Sequence, residues 1–249
     1  MTVVVAPAKL TWFLEITGRR EDGFHELRSE MVTLEFADQV EIDESADYLV
    51  FEPPSPQIAV DETNLVTRAL DLVHRRAGVR VVKRIPVGGG LGGGSADAAA
   101  ILRWAGGVSV ERALSLGGDV PFCQLGGRAL VEGVGERLTP LPDEHRELTL
   151  FLPGFSVSTG DCYRAFDELW GRGERPSGRN HLEAAAGMVE PRLARALGWI
   201  RSEFGSGAEL AGSGSTVFLE GHLRGDRDTW DVQGPDGTIR IHQTNTSPR

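Results

Sequence analysis

Pro86-Val-Gly-Gly-Gly-Leu-Gly-Gly-Gly-Ser-Ala-Asp-Ala98 places six glycines in seven consecutive positions and then runs into an alanine-rich stretch. Glycine permits positive φ and lets the main chain approach a ligand closely, so successive N–H groups can turn inward toward an anion at a helix N-terminus. A flexible linker shares this composition but not the context. Val79-Arg-Val-Val-Lys-Arg-Ile85 before the glycines reads as a strand, and Ser95-Ala-Asp-Ala-Ala-Ala-Ile-Leu102 after them has the small residues of a closely packed helix. The stretch therefore predicts strand, phosphate-binding loop and helix, in that order.

Three kinds of phosphate loop compete for these residues. A nucleotide-hydrolase P-loop ends in Gly-Lys-Ser/Thr, whereas here Gly94 is followed directly by Ser95. A dinucleotide fingerprint fits by letter as Gly88-x-Gly90-x-x-Gly93, with Glu111 at about the right distance for a ribose contact, but so many glycines satisfy almost any glycine pattern. The third resembles the loop of the galactokinase, homoserine kinase, mevalonate kinase and phosphomevalonate kinase (GHMP) superfamily. Pro86, the inner Leu91 and the closing Ser95-Ala96 fit that loop, and a dinucleotide site has no need of them.

Composition frames the loop. A chain of 249 residues with 40% apolar and 25% charged residues is that of a soluble globular protein, as one large domain or two packed lobes. No apolar run approaches the roughly 18 residues that cross a bilayer, and Pro7 and Lys9 interrupt the short apolar N-terminus, so a cytoplasmic protein without a membrane partner is expected. Cys123 and Cys162 have neither metal-ligand spacing nor the density of a disulfide scaffold, and are expected as buried free thiols. A formal net charge of −10 argues against a nucleic-acid partner and makes any anionic ligand depend on local cations.

Those cations are unevenly chosen. Of 26 basic residues only Lys9 and Lys83 are lysine. A compact ammonium acts as a point charge where a forked guanidinium does not, so each retained lysine calls for a reason. Lys83 reads equally well as an exposed strand residue or as part of the loop's surroundings. Lys9 lies in Val3-Val-Val-Ala-Pro-Ala-Lys-Leu-Thr-Trp-Phe-Leu-Glu-Ile16, which predicts a strand, a bend at Pro7 and a second strand, so its ammonium must snorkel outward or line a site. Next, Arg19-Arg-Glu-Asp-Gly-Phe-His-Glu-Leu27 reads as a turn displaying an aromatic and a histidine.

Pro7-Ala-Lys-Leu-Thr11, Arg20-Glu-Asp-Gly-Phe-His-Glu-Leu27 and the glycine loop occur in the order of one GHMP branch. The resemblance continues through Gly118-Asp-Val-Pro-Phe122, Gly133-Val-Gly-Glu-Arg-Leu138, Pro153-Gly-Phe-Ser-Val-Ser-Thr159 with Tyr163, Asn180-His-Leu-Glu183 and Ala211-Gly-Ser-Gly-Ser-Thr-Val-Phe218. It covers roughly residues 3 to 219. That branch phosphorylates the 2-hydroxyl of a cytidine diphosphate sugar alcohol, using ATP, in the non-mevalonate route to isoprenoid precursors.

The resemblance implies an α+β protein of two lobes with the active site in the cleft between them. Residues 1–146 would form an N-terminal ribosomal-protein-S5-like lobe carrying ATP, and 147–249 a ferredoxin-like C-terminal lobe shortened at its end. Asp119 would take the hydroxyl proton, and Lys9 beside it would favour the ionised carboxylate and polarise the alcohol. ATP would lie over the backbone from Pro86 through Val87, Gly88, Gly89, Gly90, Leu91, Gly92, Gly93, Gly94 and Ser95 to Ala96, with Asn64 on the adenine side. Mg²⁺ would be held mainly by the nucleotide, with no protein metal site and no obligate protein partner. Cytosine would stack between Phe24 and Tyr163, read by His25 with Thr159 nearby, while Thr11, Gly212 and Ser213 face the acceptor.

Three positions depart from the branch. Phe24 stands where tyrosine is usual, Thr11 where Lys-x-Asn is usual, and Asn180-His181 where Asn-Asp is common. Asp97 reads as a carboxylate favoured by the start of a helix, and Asn64 equally as a helix cap. Helices are predicted over 65–77, 96–104, 162–170 and 182–204, with Pro53-Pro54-Ser-Pro56 as a rigid connector. Residues 220–236 are polar, and Thr238-Ile-Arg-Ile-His-Gln243 reads as an edge strand.

Overall fold

The computed structural model describes residues 1–53, 55–56, 58–223 and 227–249. Its first sheet is built on a long antiparallel hairpin of β1 (Thr2–Arg19) and β2 (His25–Asp43). Pro7 does not divide β1 into two strands. It supplies no N–H to the ladder, and the pairing slips between Pro7 and Lys9 as a bulge inside one continuous strand. β1 occupies one edge of β2. The other edge is shared by β4 (Gly78–Val82) and β5 (Arg128–Gly133), which pair in turn with β3 (Leu49–Glu52) and β6 (Arg137–Pro140).

Helices α1 (Leu65–Leu72), α2 (Gly93–Trp104), α3 (Val110–Leu114) and α4 (Val120–Leu125) cover this sheet. The run Ala98–Leu102 of α2 is entirely buried and meets Val40, Ile42, Val79 and Val81 of the sheet. Alanine at these positions lets the helix backbone approach the strands closely. α1 stops before the predicted end at Ala77, because His74 adopts φ 54° and the polar Arg75-Arg76 follows; Ala77 is buried at the start of β4 instead. Pro54, central to the predicted Pro-rich connector, lies outside the described residues.

The second sheet has the order β10-β11-β7-β9-β8, all antiparallel, from β7 (Glu147–Pro153), β8 (Glu209–Leu210), β9 (Val217–Glu220), β10 (Thr229–Gly234) and β11 (Gly237–Asn245). Helices α5 (Thr159–Gly171), α6 (Glu183–Val189) and α7 (Pro191–Glu203) pack with it. The predicted edge strand Thr238–Gln243 is an inner strand. Ile239 and Ile241 are buried against the core, and β10, formed inside the polar 220–236 stretch, takes the edge. Period-two alternation marks β11 as half-buried but carries no information on which partner lies outside it.

The two sheets share a core. Ala8, Leu10 and Trp12 of β1 pack with Leu148, Leu150 and Leu152 of β7 and with Phe218 of β9. Two short backbone links reinforce it. Leu14 N donates to Arg179 O and His181 N to Leu14 O, both at 2.9 Å, while Ser247 N donates to Thr33 O at 2.8 Å. Among the described residues no helix is long and apolar enough to cross a membrane.

Candidate active site

Alternation along β1 puts Ala8, Leu10 and Trp12 into the shared core and turns Lys9 and Thr11 the other way. There they border a cavity of about 510 Å³ that runs from α1, past the glycine loop, to α5. Lys9 Nζ lies 3.3 Å from Asp119 Oδ2 and donates to Thr11 Oγ1 at 3.1 Å. Lys9 is buried while Asp119 remains one-third exposed, so the pair is fixed on the lysine side and open on the carboxylate side.

Asp119 stands at the N-cap position of α4, where an aspartate would usually accept a helix N–H. Its side chain makes no such bond, its backbone is already helical, and its carboxylate turns to Lys9 instead. The turn of Gly133–Glu136 supports this placement. A Cβ on Gly118 would lie 2.8 Å from Val134 O, so the two predicted blocks are in backbone contact.

The glycine loop ends in α2, whose N-cap is Gly92 at φ 68° with no side-chain capping bond. The N–H groups of the first helical turn therefore lack side-chain acceptors and border the cavity with the positive end of the helix dipole. The helix begins at Gly93 rather than at the predicted Ser95. Gly90 and Gly92 have φ of 79° and 68°, and a Cβ at either would overlap a neighbour, at 2.4 Å from Ala211 O and 2.7 Å from Lys9 Cγ respectively. Lys9 N donates to Leu91 O and Thr216 N to Gly89 O, both at 3.0 Å, so the loop is held from each sheet. Pro86, Val87, Gly88, Gly89 and Gly94 border the same cavity; Ala96 is buried behind it.

From the second sheet's side come Gly212, Ser213, Thr159 and Tyr163. Ser213 Oγ and Thr159 Oγ1 are hydrogen-bonded at 2.8 Å. Asn180 fixes their loop: its buried amide donates to Leu210 O at 2.9 Å and Gly212 O at 2.7 Å, while its oxygen accepts from Leu182 N at 2.9 Å. Asn64, at the far end, caps α1 through Val66 N at 2.9 Å and donates to Ala59 O at 2.6 Å, so its amide shapes the wall.

Phe24 and Tyr163 are not brought together. Phe24 is 65% exposed on the hairpin turn, where its N–H meets Asp22 Oδ1 at 3.2 Å and its carbonyl accepts from Arg20 N at 2.8 Å. His25 stacks on Tyr163 in its place, with centroids 4.9 Å apart and planes at 24°, and its Nε2 donates to Asp167 Oδ1 at 2.7 Å. Burial above all pushes the Tyr163 phenol well up.

Sequence reasoning assigned no role to Asp38 and kept Asp97 as a helix-start carboxylate. Both grip Lys83, which is buried and borders the cavity. Burial pushes Asp97 up to about 7, with the charge of Asp38 adding and that of Lys83 opposing. The scarcity of lysine was the available signal, since both lysines of the chain meet this one cavity. Cys123 and Cys162 are buried and free, and burial pushes the Cys123 thiol up to about 12, which keeps it inert.

The fold and this cavity define a kinase of the GHMP class: residues 64–127 match the GHMP kinases N terminal domain. The chain is 35% identical to the 4-diphosphocytidyl-2-C-methyl-D-erythritol kinase of Mesorhizobium japonicum, over 86% of this chain and 84% of that one. A crystal structure of 4-(cytidine 5'-diphospho)-2C-methyl-D-erythritol kinase superposes with TM-score 0.72 at 32% identity, covering both chains fully. A mevalonate kinase shares the fold at TM-score 0.59 and 14% identity, also over the whole of both chains. The chain belongs to the 4-diphosphocytidyl-2-C-methyl-D-erythritol kinase family.

Proposed function

We infer that the chain transfers the γ-phosphoryl group of ATP to the 2-hydroxyl of 4-diphosphocytidyl-2-C-methyl-D-erythritol in isoprenoid precursor biosynthesis. The observation that carries the reading is the Lys9–Asp119 pair, 3.3 Å apart and bordering the same cavity as the uncapped start of α2. Phosphates seated on that turn bring the γ-phosphorus toward an alcohol held at Asp119. The hydroxyl oxygen attacks phosphorus, its proton passes to Asp119, the bond to the β-phosphate bridging oxygen breaks, and ADP leaves. Lys9 offsets negative charge on the transferring group and orients the carboxylate.

Magnesium enters as part of the Mg·ATP substrate. Its ligands are then phosphate oxygens and water, so it asks little of the protein beyond room above the loop. Residues 1–146 act as the nucleotide lobe and 147–249 as the acceptor lobe. Tyr163, His25, Thr159 and Ser213 serve the cytidine end, with His25 stacked on Tyr163. No membrane or nucleic acid enters this reaction, and the chain works in the cytoplasm on small molecules.

ADP release with Mg·ATP and the cytidylyl substrate tests the reading, with mevalonate and homoserine as rival acceptors. Turnover is expected with the cytidylyl alcohol alone. Lys9→Ala and Asp119→Ala should each lower kcat by about 10²–10⁴-fold. Turnover of a rival acceptor in preference to the cytidylyl alcohol, or full activity in both variants, would sink it.

A further inference from the structure

Lys83 follows β4, and its ammonium lies 2.5 Å from Asp38 Oδ2 and 2.7 Å from Asp97 Oδ2. The second oxygen of Asp38 accepts the backbone N–H groups of Arg84 at 2.5 Å and Ile85 at 2.8 Å, the two residues that lead into Pro86. Asp97 belongs to α2 and is 2% exposed, and its Oδ1 has no hydrogen-bond partner. A Cβ on Gly93 would lie 3.2 Å from Lys83 Nζ, so the first residue of the helix rests on the ammonium. One lysine thus ties β2, the lead-in to the glycine loop, and the helix that the loop opens.

Stability alone is a poor reason for such a cluster. Two carboxylates and one ammonium in a dry site carry a desolvation cost that their attraction barely offsets, and apolar residues of similar volume would hold the same segments at lower cost. Arginine serves at every other basic position of this chain except Lys9, and a compact ammonium differs from a forked guanidinium in what it can reach. What the lysine adds is a compact multi-donor tie that reaches both carboxylates at once, beside the start of α2 and at the edge of the cavity.

We propose that Lys83 is a positioning residue for the nucleotide's phosphates: clamped between Asp38 and Asp97, it fixes the lead-in of the glycine loop on the start of α2 and so sets the turn that receives them. The proposal rests on the kinase reading of the cavity. It assigns Lys83 to nucleotide affinity, and leaves the chemical step to Lys9 and Asp119. Asp97 serves through Lys83, holding the ammonium in place while itself remaining under-bonded.

Two variants separate this role from a structural one. Lys83→Met removes the charge at similar length, and Lys83→Met/Asp97→Asn also removes one of the two carboxylates left without the ammonium, while Asp38 keeps the N–H groups of Arg84 and Ile85. Binding of a non-hydrolysable Mg·ATP analogue is measured by calorimetry, beside the KM of the cytidylyl alcohol and kcat at saturation. Both variants should bind the analogue about tenfold more weakly, with acceptor KM and kcat within about threefold of wild type. A folded double variant that binds the analogue as wild type does overturns the proposal, as does an equal loss in acceptor KM and kcat. Failure of the wild-type protein to bind the analogue overturns the kinase reading itself.

Discussion

The glycines of the loop are not equivalent, and their neighbours say how each responds to substitution. Gly90 combines φ 79° with a Cβ position 2.4 Å from Ala211 O and 2.9 Å from Gly214 O. Gly90→Ala must therefore push the loop away from the Gly212 segment, at a cost of about 2 kcal/mol or more. Gly94 lies inside the first turn of α2 with Leu65 Cδ1 as its nearest neighbour at 3.7 Å, so Gly94→Ala should leave stability unchanged or raise it by up to about 1 kcal/mol. Urea denaturation of the two variants decides, and equal losses would show that the loop is merely flexible. Asp97 has a different signature. Its folded-state pKa is raised above the unfolded value of 3.8, so its favourable contribution is complete below about pH 4 and is lost as pH rises toward about 7. Asp97→Asn removes that loss. The difference in Tm between variant and wild type should be more positive at pH 8 than at pH 4, and a constant difference would contradict the assignment.

At the scale of elements, strands and helices were legible where pattern and partner coincide. The strand before the glycines, the buried face of α2 and the turn at Asp22-Gly23 all follow from local chemistry. What was not legible depended on distant partners. Pro7 sits within a continuous strand because β2 pairs along the whole of β1, and β11 lies inside its sheet because β10 forms from a polar stretch. The same holds in the site. Lys9 and Asp119 come from strand and helix more than a hundred residues apart and were reached by resemblance, whereas Asp38 gave no local sign at all. Asn180 shows what such a long-range contact is worth. It precedes α6 yet fastens the Gly212 loop through two carbonyls, and also caps its own turn through Leu182 N. Asn180→Ala would leave these buried groups unpaired, at roughly 2–4 kcal/mol in denaturant unfolding. Its kinetic mark should be a raised acceptor KM, since Ser213 and Thr159 lose their support, with the Mg·ATP affinity less affected.

Across the whole molecule, the cleft is only as rigid as the core beneath it. Leu10 and Trp12 from the first sheet meet Leu148, Leu150 and Phe218 from the second, and Arg146 and Arg179 lie over the Trp12 ring with their guanidinium carbons 4.0 and 4.8 Å from its centroid. Neither sheet buries this face without the other, so the two lobes should unfold together rather than in sequence. Leu150, fully buried in that shared core, is the place to test this. Leu150→Ala should cost about 2–5 kcal/mol, and the loss should move far-ultraviolet circular dichroism and tryptophan fluorescence to the same lower midpoint. A protein whose lobes merely touch would instead show two transitions, with the signal of the first sheet left in place. Coincident midpoints would mean that the distance from Lys9 and Asp119 to the Gly212 loop is set by one cooperative core, so that a mutation far from the cavity reaches the chemistry only by unfolding the whole.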